Sequence, residues 1–197
     1  WLSGALNHVE DPMKNLGKKD QHIKAAVRGQ EDTQLYHVGI YRFNAQNGLY
    51  IIAGYNKADD LQLLENLLSA ISYTGIGGKK GSGLGRFVWE ETKKGTDLLM
   101  KYLNQESEIK MLLSGAFPQE KELDQSLEDA SYLLNKRSGY VASEFYAEEY
   151  RRKRDLYVFA AGSCFKNEFE GDIYDVANGG SHPVYRYAKP LFMGVPR

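Results

Sequence analysis

Residues 75–87 read GIGGKKGSGLGRF, and this stretch decides how the rest of the chain is interpreted. It contains six glycines, two lysines and one arginine. Glycine has no Cβ and adopts positive φ readily, so the backbone N–H groups of such a loop can approach a ligand closely. Beside three cations, that exposed backbone indicates an anion-binding loop, and phosphate is the usual anion.

The loop follows a predicted helix over residues 59–73. Four apolar residues have the spacing of one buried helical stripe: Leu61, Leu64, Leu68 and Ile71. Asp59 and Gln62 are typical of a capping box, and Gly75 is the expected helix stop. Dinucleotide folds and P-loops place the glycine loop before the helix, and their motifs are absent here. A nucleoside triphosphatase or a nicotinamide enzyme is therefore disfavoured.

The residues around this helix predict three strands. Residues 35–43 are rich in Tyr, Val, Ile and Phe, and Asn47 with Gly48 is expected to close a hairpin onto residues 49–55. Residues 86–91 form the third predicted strand. The order β-β-α-β is what remains of a ferredoxin-like β-α-β-β-α-β unit without its first strand and helix. The chain begins with Trp1 rather than Met, and we expect an N-terminal part to be missing.

The remaining residues divide into three segments. Residues 1–34 are polar and are expected to be irregular or partly ordered. Residues 35–92 hold the rest of the first module, and residues 93–108 are expected to be a connector with a short helix near 97–104. Residues 109–197 are expected to form a second α+β module. Its predicted features are a strand at 109–117, a helix from Pro118 with an apolar stripe (Leu123, Leu127, Ala130, Leu134), and apolar stretches at 132–142, 156–165 and 185–195.

Composition narrows the function further. The 197 residues carry a formal net charge of −1, so any affinity for nucleic acid must come from local patches. Cys164 is the single cysteine, which excludes an internal disulfide and a cysteine-based zinc site and indicates a reducing compartment. No apolar run approaches the ~20 residues needed to span a bilayer, so no membrane partner is expected.

Three separate stretches coincide with one known family. They are the glycine-rich residues 75–87, residues 163–171 (SCFKNEFEG) and residues 182–191 (HPVYRYAKPL). Together they resemble the RAMP subunits of type III-A CRISPR effector complexes, and more narrowly the family of the fourth Csm subunit, which caps the complex at the crRNA 5′ end. The resemblance covers nearly all residues from 35 to the C-terminus.

The resemblance implies two tandem ferredoxin-like (RRM-like) modules, the first of them truncated at its N-terminus. It also implies a non-catalytic, cytoplasmic protein of antiviral defence that needs no cofactor. The expected partners are the 5′ tag of the crRNA, the large polymerase-palm subunit and the backbone RAMP subunit.

The best predicted RNA contacts lie in the glycine loop: Gly77, Gly78, Lys79, Lys80, Gly81, Ser82, Gly83, Gly85 and Arg86. The glycines admit the RNA backbone, the lysines act as point charges, and the arginine can bind a phosphate with two N–H groups. The alternative is a mobile surface turn whose lysines only maintain solubility.

Three further candidates come from the second half of the chain. Arg137 and Tyr140 combine a cation with an aromatic ring, as single-stranded RNA binding requires, although Tyr140 could instead pack in the core. Arg186, with His182, could contact the tag, or the two could belong to an internal strand and its turn. Residues 151–154 are four consecutive cations, interpreted as a solvated loop or as a surface facing RNA or a neighbouring subunit.

No metal site or catalytic residue is predicted. His8, His22 and His37 share no spacing with Asp, Glu or Cys that would suggest metal ligation. The enzymatic alternative is a RAMP endoribonuclease that processes precursor crRNA with His182 as general base, although the glycine loop holds neither His nor Asp. A protein-interaction module without RNA contact is the third hypothesis.

Overall fold

The computed structural model describes residues 15–26, 34–55, 57–92, 96–143 and 145–195. The chain divides into two compact units, residues 1–89 and residues 90–197. Both units combine helices with small antiparallel sheets, which confirms the α+β class. Within the described ranges, no helix is long and apolar enough to cross a lipid bilayer.

The first unit opens with a two-stranded antiparallel ribbon. Strands β1 (Gly17–Ala26) and β2 (Gln34–Phe43) pair residue for residue along their whole length. The strand predicted at 35–43 is confirmed, whereas the prediction that residues 1–34 are irregular is wrong for β1. This polar strand forms because its backbone groups pair with the more apolar β2, a cause that its own sequence does not reveal. Residues 1–14 of that predicted segment, which include His8, and residues 27–33 lie outside the described residues.

The turn after β2 contradicts the predicted hairpin. The Asn47 N–H donates to the Asn44 carbonyl at 3.1 Å. The side-chain amides of Asn44 and Asn47 both donate to the carbonyl of Asn15, at 2.8 and 2.6 Å. The two asparagines therefore bind the residues that precede β1, and residues 49–55 do not form a strand.

Helix α1 spans Ala58–Thr74 and confirms the predicted helix. Its first turn differs from the predicted capping box at Asp59 and Gln62. The carboxylate that accepts a backbone N–H is that of Asp60, and the donor is Lys57 at 3.1 Å. No residue of α1 is fully buried, so the predicted apolar stripe is only partly covered.

Residues 86–91, predicted as a strand, are not one. The Phe87 N–H donates to the Ser72 carbonyl at 3.3 Å, and the Trp89 indole N–H donates to the Ser69 hydroxyl at 3.3 Å. Both acceptors lie in α1, so the helix holds this segment and no strand pairs with it. The described part of the first unit has the order β-β-α. Two of the three predicted strands, at 49–55 and 86–91, are absent, and β1 was not predicted.

Within the described ranges, the second unit contains two short helices and seven short strands, and the first of these strands lies between the two helices along the chain. Helix α2 spans Thr96–Leu103, close to the helix predicted at 97–104, and helix α3 spans Leu123–Leu127 after a 3₁₀ turn at Glu120–Glu122. The strands are β3 (Lys110–Leu112), β4 (Leu134–Arg137), β5 (Leu156–Phe159), β6 (Cys164–Phe165), β7 (Asp172–Asp175), β8 (Tyr185–Ala188) and β9 (Phe192–Gly194). Helix α2 packs against β9, so part of the expected connector is an integral part of this unit.

The strands of the second unit form three separate sheets. Strand β3 lies between β6 and β9, while β4 pairs with β5 and β7 pairs with β8, all antiparallel. The strand predicted at 109–117 is shortened to β3. The apolar stretches at 132–142, 156–165 and 185–195 contain β4, β5 with β6, and β8 with β9, and β7 was not predicted. Ala130 and Leu134, predicted on a helical stripe, lie beyond α3, and Leu134 begins β4. No sheet within the described ranges has the four strands of a ferredoxin-like module.

Aromatic side chains form the core of the second unit. The buried cluster consists of Leu112, Ala116, Phe159, Phe165 and Phe169, with Phe117, Leu127, Ala130 and Phe192 packed against it. Neighbouring phenylalanine rings meet at tilted or edge-to-face angles with centroids 5.0–6.0 Å apart, the arrangement that aromatic pairs prefer. This core positions the three small sheets.

The Glu122 carboxylate joins two loops of the second unit. It accepts backbone N–H groups of Gln119 at 2.8 Å, Glu170 at 3.0 Å and Gly171 at 3.3 Å. Burial raises the pKa of Glu122, but hydrogen bonds from Glu170, Gln119 and Gly171 outweigh that effect and leave the pKa below its usual value. The charged carboxylate is therefore a stabilising contact between the 3₁₀ turn and the loop before β7.

We expect Glu122→Gln to destabilise the second unit by about 2 kcal/mol at pH 7, because the amide NH₂ must face a backbone N–H that the carboxylate had accepted. A lowered folded-state pKa gives stability that is present above the usual glutamate pKa of about 4.3 and lost as pH falls through the folded value. The difference between the variants should therefore shrink at low pH. Urea unfolding of both proteins at pH 7 and at low pH measures this difference in the free energy of unfolding.

Glu120→Gln, on the exposed side of the same turn, is the matched control and should leave the unfolding free energy unchanged. Equal stability of the Glu122→Gln variant and the wild type at pH 7 would contradict this role of Glu122.

Candidate nucleic-acid interface

The glycine loop is closed at its neck by the backbone. Helix α1 ends at Gly75, which has φ 80° and donates its N–H to the Ile71 carbonyl at 2.7 Å. The Ile76 N–H then donates to the Gly85 carbonyl at 2.9 Å. A Cβ on Gly85 would collide with the Ile76 carbonyl oxygen, so glycine is required there for close backbone approach. The helix stop predicted at Gly75 is confirmed.

The tip of the loop is a single tight turn. Lys79 and Gly83 both have left-handed backbone conformations, with φ 60° and 79°, and flank a 3₁₀ turn over Lys80–Ser82. The Ser82 N–H donates to the Lys79 carbonyl at 2.9 Å. A Cβ would find open space at Gly77, Gly78, Gly81 and Gly83, so a ligand could approach the backbone at the tip without obstruction.

Three cations lie on this loop without acidic partners. Lys79, Lys80 and Arg86 are exposed, and in the described part of the chain no carboxylate pairs with any of them. The loop therefore carries a local positive charge, although the net charge of the whole chain is −1. Phosphate oxygens suit such a surface, because exposed backbone and cations both favour an anion.

A second cationic site lies in the second unit, where Arg137 at the end of β4 and Arg186 in β8 line one groove. Arg186 Nη2 donates to the Ser138 carbonyl at 3.1 Å, which holds its guanidinium beside the end of β4. The structure thus brings two predicted residues together. Tyr140 does not line this groove; its side chain is 63% exposed, and its backbone bridges Arg152. The alternative that Tyr140 packs in the core is wrong.

Two of the four cations at residues 151–154, Arg152 and Arg154, bond to other groups of the protein through their side chains. Arg152 pairs with Asp155 at 3.2 Å, and Lys136 pairs with the same carboxylate at 2.8 Å. Arg154 donates to the Asp175 carbonyl at 2.8 Å. Among the described residues, Arg152 is the member of this run that pairs with a carboxylate, so the solvated loop and the surface facing RNA or a neighbouring subunit both remain predictions.

His182 lies in the loop between β7 and β8. Its Nε2 lies 3.1 Å from the Ser143 hydroxyl and its Nδ1 lies 2.9 Å from the Pro183 carbonyl, and its ring contacts that of Tyr146 edge to face at 5.1 Å. These contacts fit the turn-forming role considered for His182. Within the described residues, no three His, Cys, Asp or Glu side chains form a group that could hold a metal ion.

The chain matches a family model described as the CRISPR Csm4 C-terminal domain over residues 105–195. The "CRISPR system Cms protein Csm4" of Mycobacterium tuberculosis H37Rv is 42% identical over 192 residues, which cover 97% of this chain and 62% of that protein. The protein of the same name from Streptococcus thermophilus is 39% identical over 194 residues, covering 95% of this chain and 63% of that protein. This chain is therefore similar to Csm4 proteins along nearly its whole length, and its second half matches the Csm4 C-terminal domain.

These similarities confirm the resemblance to the fourth Csm subunit of type III-A CRISPR complexes. A further Csm4 protein, from Methanocaldococcus jannaschii, is 27% identical over 216 residues, covering 98% of this chain and 54% of that protein. The chain spans 62% and 63% of the length of the M. tuberculosis and S. thermophilus relatives. The match to the Csm4 C-terminal model lies in the second unit, whereas these alignments also include the first.

Sequence reasoning did not single out Gly115 or Tyr187 in the groove, nor Lys153 beside it. Gly115 and Tyr187 line it, and the Lys153 N–H donates to the Gly139 carbonyl at 2.9 Å, two residues from Arg137. The sequence Tyr185, Arg186, Tyr187 was the available signal, because it combines a cation with two aromatic residues in one short strand. Gly115 and Lys153 carry no local signal, since only tertiary contacts bring them there.

We expect Gly85→Ala to disturb the loop neck, because alanine at φ 79° is strained and its Cβ meets the Ile76 carbonyl. The Ile76 amide should exchange with deuterium at least about tenfold faster than in the wild type. Gly81→Ala, with open space for its Cβ, is the matched control and should exchange at the wild-type rate. Identical exchange in both variants would contradict the closed neck.

Proposed function

We propose that this chain is a non-catalytic crRNA-binding subunit of a type III-A CRISPR interference complex, where it holds the repeat-derived 5′ tag. The tip of the glycine loop carries this proposal. Lys79, Lys80 and Arg86 are exposed and lack acidic partners among the described residues, and the neck beneath them is closed by backbone contacts. The similarity to Csm4 proteins makes a CRISPR RNA the natural ligand for such a surface.

The chemistry of the loop favours the RNA backbone over the bases. Lysines bind phosphate as point charges and an arginine can bind two phosphate oxygens at once. The glycines and Ser82 place backbone groups beside these cations, and no aromatic side chain at the tip could stack on a base. The loop therefore positions the RNA, and reading of its sequence would require other residues.

The second unit supplies the other proposed RNA contacts. Arg137 and Arg186 line one groove, and the exposed ring of Tyr140 is available for stacking. Each unit is thus proposed to supply RNA contacts of its own. These contacts also give the Csm4 C-terminal segment a part in RNA binding.

The remaining parts of the proposal come from the family resemblance. They are contacts with the large polymerase-palm subunit and the backbone RAMP subunit, a cytoplasmic location, and completion of two tandem ferredoxin-like modules in the full-length protein. The surfaces that meet these partners are not assigned to residues.

The competing hypothesis is a RAMP endoribonuclease with His182 as general base. It is favoured by one observation, that His182 is exposed. Against it, both ring nitrogens lie within hydrogen-bond distance of the protein's own oxygen atoms, so a substrate hydroxyl would have to displace one of them. A protein-interaction module without RNA contact is the third hypothesis.

We expect the triple substitution of Lys79, Lys80 and Arg86 by alanine to weaken binding of single-stranded RNA about thirtyfold, roughly 2 kcal/mol. The loss should be similar for all sequences, because phosphate contacts carry no sequence information. The slope of log K against log salt should fall by about 2, or about 0.7 for each phosphate contact. Filter binding of the full-length protein at several salt concentrations measures both.

A control variant replaces three cations of the second unit, Lys101, Lys121 and Lys166, and should retain wild-type binding and slope. An equal loss of RNA affinity in both variants would mean that the loop contributes only through nonspecific charge attraction. A loss confined to tag-bearing RNA would mean that the loop reads bases. Binding unaffected by the loop variant would favour the protein-interaction module.

We expect no cleavage when the full-length protein is incubated with labelled repeat RNA in the absence of metal, because both ring nitrogens of His182 lie within hydrogen-bond distance of the protein's own oxygen atoms. Denaturing gels resolve the products. Specific cleavage that disappears in the His182→Ala variant would refute the non-catalytic proposal and establish the endoribonuclease.

A further inference from the structure

The groove between sheets β4–β5 and β7–β8 has features that phosphate contacts alone do not explain. It encloses about 340 Å³, at the lower end of the range for ligand sites. Its lining residues come from three parts of the second unit: Gly115, Arg137, Leu156, Val158, Tyr185, Arg186 and Tyr187. It combines two guanidinium groups, an apolar wall and two tyrosines.

The cations of the groove converge on the end of β4. Arg186 Nη2 donates to the Ser138 carbonyl at 3.1 Å, and the Lys153 N–H donates to the Gly139 carbonyl at 2.9 Å. A Cβ on Gly115 would lie 3.1 Å from Arg137 Nη2, so the absence of a side chain at Gly115 leaves room for that guanidinium. The guanidinium groups of Arg137 and Arg186 therefore lie beside residues 137–139, and the backbone of Lys153 is bonded to the same segment.

This positive charge is not compensated within the described residues. None of the ion pairs there involves Arg137, Lys153 or Arg186, and Asp155 is already paired with Lys136 and Arg152. Burial, and then the charge of Arg186, lower the pKa of Lys153. Like charges held together without a counter-charge leave a site that an anion would stabilise.

Tyrosine rings border this charge. Tyr185 and Tyr187 flank Arg186 along β8 and are 66% and 69% exposed. Exposed aromatic rings beside cations are the combination that single-stranded RNA binding uses, because unpaired bases can stack while their phosphates are neutralised. A duplex would not expose its base faces to these rings.

We propose that this groove binds one nucleotide of single-stranded RNA, with Arg137 and Arg186 sharing a single phosphate and Tyr185 or Tyr187 stacking on the adjoining base. The small volume limits the site to about one nucleotide, and the convergence of the two guanidinium groups favours one shared phosphate. This inference rests on the proposed RNA-binding function and adds a one-nucleotide site to it.

Binding of a single-stranded oligoadenylate to the full-length protein, measured at several salt concentrations, tests the shared phosphate. Arg137→Gln and Arg186→Gln should each weaken binding about tenfold and lower the salt slope by about 0.7. The double variant should lower the slope by the same 0.7, because a single phosphate is lost. Lys121→Gln, which removes an exposed cation of the same unit, should change neither quantity.

A slope that falls by about 1.4 in the double variant would overturn the shared phosphate. Wild-type RNA binding in all groove variants would overturn the site itself, and loss of subunit assembly in those variants would assign the groove to a carboxylate of a partner protein. Arg186→Lys keeps a donor for the Ser138 carbonyl. If it weakens binding while the unfolding curve stays that of the wild type, loss of folding is excluded as the cause.

The stacking part has its own test. The double variant Tyr185→Leu/Tyr187→Leu should bind oligoadenylate about tenfold more weakly, yet bind an abasic strand of the same length as well as the wild type does. Equal losses on both strands would overturn stacking. A wild-type protein that binds no RNA would refute the proposed function itself. Binding that is lost only in the glycine-loop variant would refute the groove site alone.

Discussion

The second unit depends on the burial of Phe159, the last residue of β5. Its ring packs on four others, those of Phe117, Tyr132, Phe165 and Phe169. Its backbone exchanges two hydrogen bonds with Ala116, at 2.8 and 3.3 Å, and loss of such a ring costs about 3–5 kcal/mol. Strand β4, which carries Arg137, pairs with β5, and Gly115 precedes Ala116. The same residue therefore sets the positions of two walls of the groove.

In the first unit, backbone contacts rather than a buried aromatic core hold the glycine loop in place. Helix α1 has no fully buried residue, so side-chain packing contributes less to the position of the loop that follows. Contacts between backbone atoms hold it instead, through the Ile76 bond to Gly85 and the close approach of Gly75 to Gly85. A closed neck reduces the conformational freedom that an RNA ligand would have to remove, and the open tip leaves the cations accessible.

Local sequence signals predicted the features that local interactions determine. The helix over Ala58–Thr74, its stop at Gly75 and the short helix α2 are of this kind, because periodicity and glycine chemistry act within a few residues. Features set by distant partners were missed. Strand β1 exists through its pairing with β2, and Leu134 continued a helical spacing but joins β5 in a sheet. The groove around Arg137 was predicted only in part, because tertiary contacts assemble it.

Charge density along the sequence is a weaker guide to a binding site than the pairing of each charge in the fold. Residues 151–154 form the densest cationic run, yet Arg152 is neutralised by Asp155 and Arg154 is bonded to a carbonyl. Lys79 and Arg137 lie in less basic stretches, and neither forms an ion pair with any residue that the structure describes. In a chain with a net charge of −1, such unpaired cations attract an anionic ligand locally. The uncompensated charge, more than the basic run, therefore identifies the surfaces on which RNA would be held.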